Sequence, residues 1–259
     1  MAQAAVAAGA AATTEPVLTS AQTDALCSVL CTCHLWSVAP PESWLSELLQ
    51  LCTAACQQGC ISTAGALQLL AACCCGSCVQ LRGTAAAQAA CLGLLQQRMF
   101  KLPAPAGVAV LFACVQSGNV RQLPGGFAGA LAQRLTDLLP ELPTALLLQV
   151  PHVLKVAAAG QQAQDERLLA AYALVTQARL AELSWWGLQE LLAGCLEAGW
   201  STMPATWCAD VKQQIVRCPQ ADSSSAAGAR PQYGLGTSSI LSVGGLLALM
   251  EGRKAPQSQ

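Results

Sequence analysis

The stretch LSWWGLQELLAGCLEAGWSTMPATW, Leu183 to Trp207, carries one helix, its stop and the start of a second. Leu188, Leu191, Leu192, Cys195 and Leu196 recur at spacings of three and four. That pattern is one apolar face of a helix. Ser184 stands where an N-cap belongs and Gly199 where a helix stops. Pro204 then opens the next segment, with Trp207 three residues on. The same opening stands far upstream in APPESWLSELL, Ala39 to Leu49, where Pro41 and Trp44 keep that offset. A punctuation that recurs at such a distance points to an internal repeat.

Sliding upstream from Leu183 by about 40 residues finds further copies. They are ELPTALLLQVPHVLKVAAAG (Glu141 to Gly160), KLPAPAGVAVLFACVQSG (Lys101 to Gly118), CISTAGALQLLAACCCG (Cys60 to Gly76) and the weaker VLTSAQTDALCSVLCTCHLW (Val17 to Trp36). Each opens on an aliphatic residue followed by Ser, Thr or Pro, and most close on Gly. Between them lie partner segments of similar length: Trp44 to Cys56, Ala86 to Arg98, Phe127 to Leu139, Leu168 to Leu180 and Trp207 to Arg217. One such helix pair cannot bury its apolar face alone, so neighbours must stack. The fold expected is all-α, a right-handed α-solenoid of two-helix repeats of about 38–41 residues. Pro151 falls inside one of the copies and should kink or break that helix.

Outside the array the pattern lapses. Residues 1–16 read as a disordered Ala-rich N-terminus and 17–217 as the helical-repeat array. Residues 218–239 form a Pro/Gly/Ser linker, and 240–259 a short helix with a frayed tail.

Composition agrees with helices. Hydrophobic residues make up 54% of the chain and charged ones 10%, against a usual charged share of about 25%. Aromatic and β-branched residues are scarce, which favours helix over strand. The net charge of −1 gives no global electrostatic drive toward nucleic acid and none toward DNA. No basic residue precedes Arg82, so no transit peptide or signal n-region is visible. Either the chain is cytosolic or its true start is missing. Leu48 to Leu81 and Leu102 to Val120 carry no charge, long enough for a membrane span. Gln, Gly, Ser and Pro interrupt both, so buried helices rather than membrane insertion are expected.

At Leu183-Ser184, Leu188, Leu191-Leu192, Gly199 and Pro204-x-x-Trp207 the chain resembles the octotricopeptide repeat proteins of green algae, related to the FAST-kinase-like leucine-rich proteins. Leu26, Leu30 and Pro40-Pro41-x-x-Trp44 fit the same pattern, while the middle units lack Pro-x-x-Trp. The resemblance spans roughly residues 17 to 217. It implies a non-enzymatic protein that binds single-stranded organellar RNA, acting in RNA processing, stability or translation in chloroplast or mitochondrion. Many members end in a RAP domain, which Gly234 to Lys254 faintly resembles as a relic.

Helical-repeat RNA readers address each base with two or three side chains per repeat. Here those would come from the openings of the second helices (Thr63, Ala64, Ala104, Pro105, Thr144, Ala145, Trp185 and Trp186), with Gln68, Gln149 and Gln189 one turn further along. The glutamines could read base edges or be solvated helix positions. For Trp185 and Trp186, stacking on a base competes with packing in the core. Arg98 and Arg179 stand four residues before Leu102 and Leu183, and with Arg134 they could track a phosphate backbone or form a solvated rim.

Fifteen cysteines lack the paired spacing of a structural zinc site. Cysteine here stands in for a small buried residue, so no metal, no cofactor and no disulfide framework are expected. His34 and His152 are the only histidines, neither beside a nucleophile or acid motif, and no phosphate-binding Gly loop is present. No catalytic residue is assigned and no enzyme is expected. The alternative to an RNA binder is a protein-binding α-solenoid scaffold, which the low charge favours.

Overall fold

The computed structural model describes residues 19–35, 40–75, 81, 83–120, 122–158, 166–200 and 203–218. Ten α-helices occupy them: α1 (Ser20–Leu35), α2 (Glu42–Gln57), α3 (Thr63–Cys75), α4 (Thr84–Gln97), α5 (Ala106–Gln116), α6 (Phe127–Leu138), α7 (Thr144–Ala157), α8 (Glu166–Ala178), α9 (Trp185–Glu197) and α10 (Ala205–Arg217). No strand occurs among the described residues, so the fold is all-α. The apolar copies read from the sequence are the odd-numbered helices, and their partners are the even-numbered ones. The Ala-rich start, the linker beyond Cys218 and the RAP-like segment lie outside the described residues.

The helices pack in two rows. In one row α1 lies on α3, α3 on α5, α5 on α7 and α7 on α9; in the other α2 lies on α4, α4 on α6, α6 on α8 and α8 on α10. Contacts within pairs, such as α1 with α2 and α3 with α4, join the rows. Each sizeable helix–helix contact links elements at most two apart along the chain. The uncharged stretches noted above are divided among separate helices, and no helix among the described residues is long and apolar enough to cross a membrane.

Local chemistry sets the helix ends. Ser184 caps α9, its Oγ accepting from Gly187 N at 3.3 Å. At the other end Gly199 adopts φ +74°, which lets Trp200 N reach Cys195 O at 2.8 Å and Gly199 N reach Leu196 O at 3.0 Å. This Schellman closure turns the chain so that Trp200 drops into the core. Pro41, Pro143 and Pro204 precede α2, α7 and α10 in extended conformation. The middle even-row helices start differently: Gly83 and Gly126, at φ +91° and +79°, lead into α4 and α6. Left-handed glycine there replaces the Pro-x-x-Trp opening that these repeats lack.

The repeated aromatic shows how stacking acts. Trp207 of α10 is 0% exposed and Phe127 of α6 is 1% exposed, whereas Trp44 of α2 is 42% exposed. α10 has α8 before it and α6 has α4. No even-row helix precedes α2 among the described residues.

Of the kink or break expected at Pro151, the break does not occur. α7 runs from Thr144 to Ala157 with Pro151 inside. A proline lacks the N–H that would bond the carbonyl four residues back, here that of Leu147. Tyr172, fully buried on α8, donates its Oη–H to Leu147 O at 3.1 Å. The same tyrosine stacks edge-on against Trp200, ring centroids 5.1 Å apart. Its own carbonyl accepts from Thr176 Oγ1 at 2.7 Å, and that hydroxyl accepts from Trp207 Nε1 at 2.9 Å. One buried polar chain thus ties α7, α8 and α10.

Candidate nucleic-acid interface

The aliphatic residue that opens each repeat now has a structural meaning. Ile61, Leu102, Leu142 and Leu183 are buried in the connections that lead into α3, α5, α7 and α9. Three of them follow a 3-10 turn, Met99–Lys101, Leu139–Glu141 or Leu180–Glu182, whose first residue is also buried. Side chains three apart eclipse in such a turn, so each connection plugs two apolar groups into the core.

Burying these residues in extended backbone leaves their carbonyls in need of donors. Each receives one from the following repeat. Arg98 Nη1 donates to Ile61 O at 2.6 Å and its Nη2 to Gly59 O at 3.0 Å. Arg134 Nη2 donates to Leu102 O at 3.0 Å. Arg179 donates to Leu142 O through Nη1, and to Pro140 O through Nη2 at 2.6 Å. Cys218 Sγ completes the series at Leu183 O, 3.5 Å away. The positional match between Arg98 and Arg179 seen in the sequence is therefore a matched carbonyl clamp. These bonds also lay successive even-to-odd connections side by side, so the arginines and the N-termini of α3, α5, α7 and α9 share one edge.

That edge carries other exposed groups. Phe100 is 66% exposed, with Lys101 Nζ lying 5.6 Å from its ring centroid. Trp186 is 49% exposed, whereas Trp185 packs against the core. Acidic groups are present too: Glu141 and Glu182 end their 3-10 turns, and Glu182 Oε2 accepts from Thr144 Oγ1 at 2.7 Å. Ala64, Pro105 and Ala145 are exposed beside half-buried Thr63, Ala104 and Thr144.

The glutamines divide. Gln68 Oε1 accepts from Ser28 Oγ of α1 at 3.0 Å, so this side chain bridges neighbouring odd helices. Gln149 holds the equivalent position on α7 and is half-buried. Gln189 is one residue out of register, and Glu190 takes the matching place on α9.

Glu190 belongs to a cluster that sequence reasoning missed. His152, buried on α7, places Nδ1 3.3 Å from Glu197 Oε2, which Lys155 Nζ also meets at 3.3 Å. Gly194 of α9 makes room for the ring; a Cβ there would sit 3.0 Å from His152 Nε2, which is buried without a partner. Burial pushes the Glu190 carboxyl up from its ordinary value, partly offset by His152. The signal was present in His152 and Lys155 three apart and Glu190 and Glu197 seven apart, each pair on one helix face.

Only the backbone of the His34 position is described. Among the described residues no group of three or more His, Cys, Asp or Glu is arranged to hold a metal ion. No family model matches the chain, and no characterised protein or solved structure compared with it shows significant similarity.

Proposed function

We propose that the chain is a non-enzymatic, right-handed α-solenoid that binds single-stranded RNA, in the organellar RNA processing, stability or translation that its repeat resemblance implies. One observation carries the reading. The edge built by the even-to-odd connections combines exposed aromatic rings, Phe100 and Trp186, with Arg98, Lys101, Arg134 and Arg179. Bases stack on such rings whatever their identity. Helix N-termini attract phosphate through their free N–H groups; α5 and α7 open onto this edge without a side-chain cap, while serines already accept from the first turns of α3 and α9. The guanidiniums, held by carbonyls, bring fixed positive charge beside them. Four basic groups stand there against Asp24, which accepts from Ser62 N at 3.1 Å, Glu141 and Glu182, which leaves a local attraction that the net charge conceals.

The test is fluorescence anisotropy of labelled single-stranded RNA with the purified chain across a salt series. Saturable binding that weakens log-linearly with salt is expected. Trp186→Ala should cost about 1–3 kcal/mol of affinity, the usual contribution of one stacked base. Binding that is absent, or unmoved by both salt and Trp186→Ala, rules the reading out.

A second reading rests on the other row. Trp44 and Leu51 of α2, Leu174 of α8 and Val216 of α10 are all substantially exposed. A protein-binding scaffold would use that row, and its complexes would persist at salt concentrations that dissociate RNA. Trp44→Ala then weakens the complex and Trp186→Ala does not.

A further inference from the structure

Cysteine thiols meet one another across three helix boundaries in the first half of the array. Cys27 of α1 donates to Cys52 of α2 with the sulfurs 3.8 Å apart, and Cys56 of α2 lies 3.7 Å from Cys91 of α4. A side-chain hydrogen bond likewise joins Cys114 of α5 to Cys74 of α3. All six side chains are buried. Filling small core sites accounts for cysteine as well as for alanine, but it does not account for thiols facing thiols. Cys52 and Cys56 stand one turn apart on α2, so that helix addresses α1 with one sulfur and α4 with the other.

We propose that Cys27–Cys52 and Cys56–Cys91 are cross-linking sites that a peroxide closes into disulfides, fastening α1 to α2 and α2 to α4. The sulfurs already touch, and a disulfide at about 2.05 Å needs an approach of about 1.7 Å shared between two side chains. The attacking species is a thiolate. Within the first pair that role falls to Cys52: the hydrogen bond it accepts from Cys27 holds its thiol below the ordinary value, while the same bond and burial push Cys27 up.

The chemistry balances. Cys52 thiolate attacks one peroxide oxygen, the O–O bond breaks, and the other oxygen leaves as hydroxide that takes up a proton to become water. The product is a sulfenic acid on Cys52. Cys27 sulfur then attacks Cys52 sulfur, its proton goes to the departing hydroxyl, and a second water leaves. In total two thiols are oxidised by two electrons and one peroxide is reduced to two waters. Cys56 and Cys91 follow the same stoichiometry. α1 and α2 form the outermost described pair, packed only on one side along each row, so they open more readily than the interior. Peroxide therefore reaches Cys27–Cys52 before Cys56–Cys91. This regulation goes beyond the RNA reading and stands whether or not RNA binds.

The full-length reduced chain is treated with hydrogen peroxide under native conditions, free thiols are alkylated, and disulfide-linked peptides are mapped by mass spectrometry. Elastase digestion, cutting after Ala54 or Ala55, separates Cys52 from Cys56. The expected result is Cys27–Cys52 appearing first and Cys56–Cys91 second. Each closure removes two hydrogens from the intact mass and is reversed by dithiothreitol, and the oxidised chain melts at a higher temperature than the reduced one. Cys52→Ala leaves Cys27 as a free thiol while Cys56–Cys91 still closes. The proposal is overturned by linkages that join other cysteines instead. It is equally overturned by sulfinic or sulfonic acid on these four, or by all four remaining thiols after the half-buried Cys60 has been oxidised. The wild-type linkage map decides the matter even where a variant fails to fold.

Discussion

At the scale of single residues, the fold depends on carbonyls that the backbone cannot satisfy. Tyr172 supplies to Leu147 O the hydrogen bond that Pro151 has no N–H to give. Tyr172→Phe should therefore destabilise the protein by about 1–3 kcal/mol, the cost of a buried acceptor left unpaired. In a Pro151→Ala background the helix regains its own N–H, and the same substitution should cost distinctly less. A double-mutant cycle by urea denaturation measures that difference as a coupling energy. Equal costs in the two backgrounds would show that the tyrosine acts by packing alone. Arg98 and Arg179 obey the same logic one repeat apart. Arg179→Ala orphans the part-buried Leu142 O, while water takes over at the exposed Pro140 O, for an expected loss of about 1 kcal/mol. Arg179→Lys recovers only part of that loss, because an ammonium lacks the planar fork that reaches two carbonyls. The sequence showed that these arginines share a repeat position. It did not show what they hold, since their acceptors are backbone atoms of the preceding repeat that become unsatisfied only once that backbone is buried and extended.

Among the helices, legibility followed the strength of local signals. Ser184, Gly199 and the Pro-x-x-Trp openings act within a few residues of themselves, so α2, α9 and α10 could be placed from the sequence to within a residue or two. The 3-10 turns after α4, α6 and α8 were read as helix or left unassigned, because a three-residue element has no period to detect. That α7 continues through Pro151 was hidden for a different reason: a proline's local cost is visible in sequence, while the compensating hydroxyl on the next helix is not. The polar cluster between α7 and α9 was hidden as well, although it makes a testable element. Glu190 of α9 has its carboxyl raised by burial, with His152 opposing. A carboxyl whose folded value lies above its unfolded value binds more protons in the native state. Its contribution favours folding at low pH and is lost as pH rises from the unfolded value through the folded one. Glu190→Gln should therefore raise stability at neutral pH and flatten that decline. Chemical denaturation of both forms across the acid range checks the sign, and a variant less stable than the parent at neutral pH would show that the Glu190 charge is a net stabiliser.

Across the whole molecule, the two-row pattern makes stability a sum over neighbours, since each helix leans mainly on elements one or two away. Such a chain should come apart from an end rather than all at once. Trp207 is the sharpest probe. It is fully buried on α10, packs beneath α8 and donates to Thr176 Oγ1. Trp207→Ala removes that bond and leaves a cavity, a change that costs about 3–5 kcal/mol in an ordinary core. In a protein with one central nucleus, that loss would lower hydrogen-exchange protection everywhere by the same amount. Here it should fall on α10, α8 and α7, which share the chain from Trp207 through Thr176 and Tyr172 to Leu147, while α3, α4 and α5 keep the protection of the parent. Native-state hydrogen exchange followed by mass spectrometry resolves the two outcomes. Uniform loss from α1 to α10 would mean that the rows behave as one cooperative body, and a ligand surface built by independently stacked repeats would no longer follow from the packing.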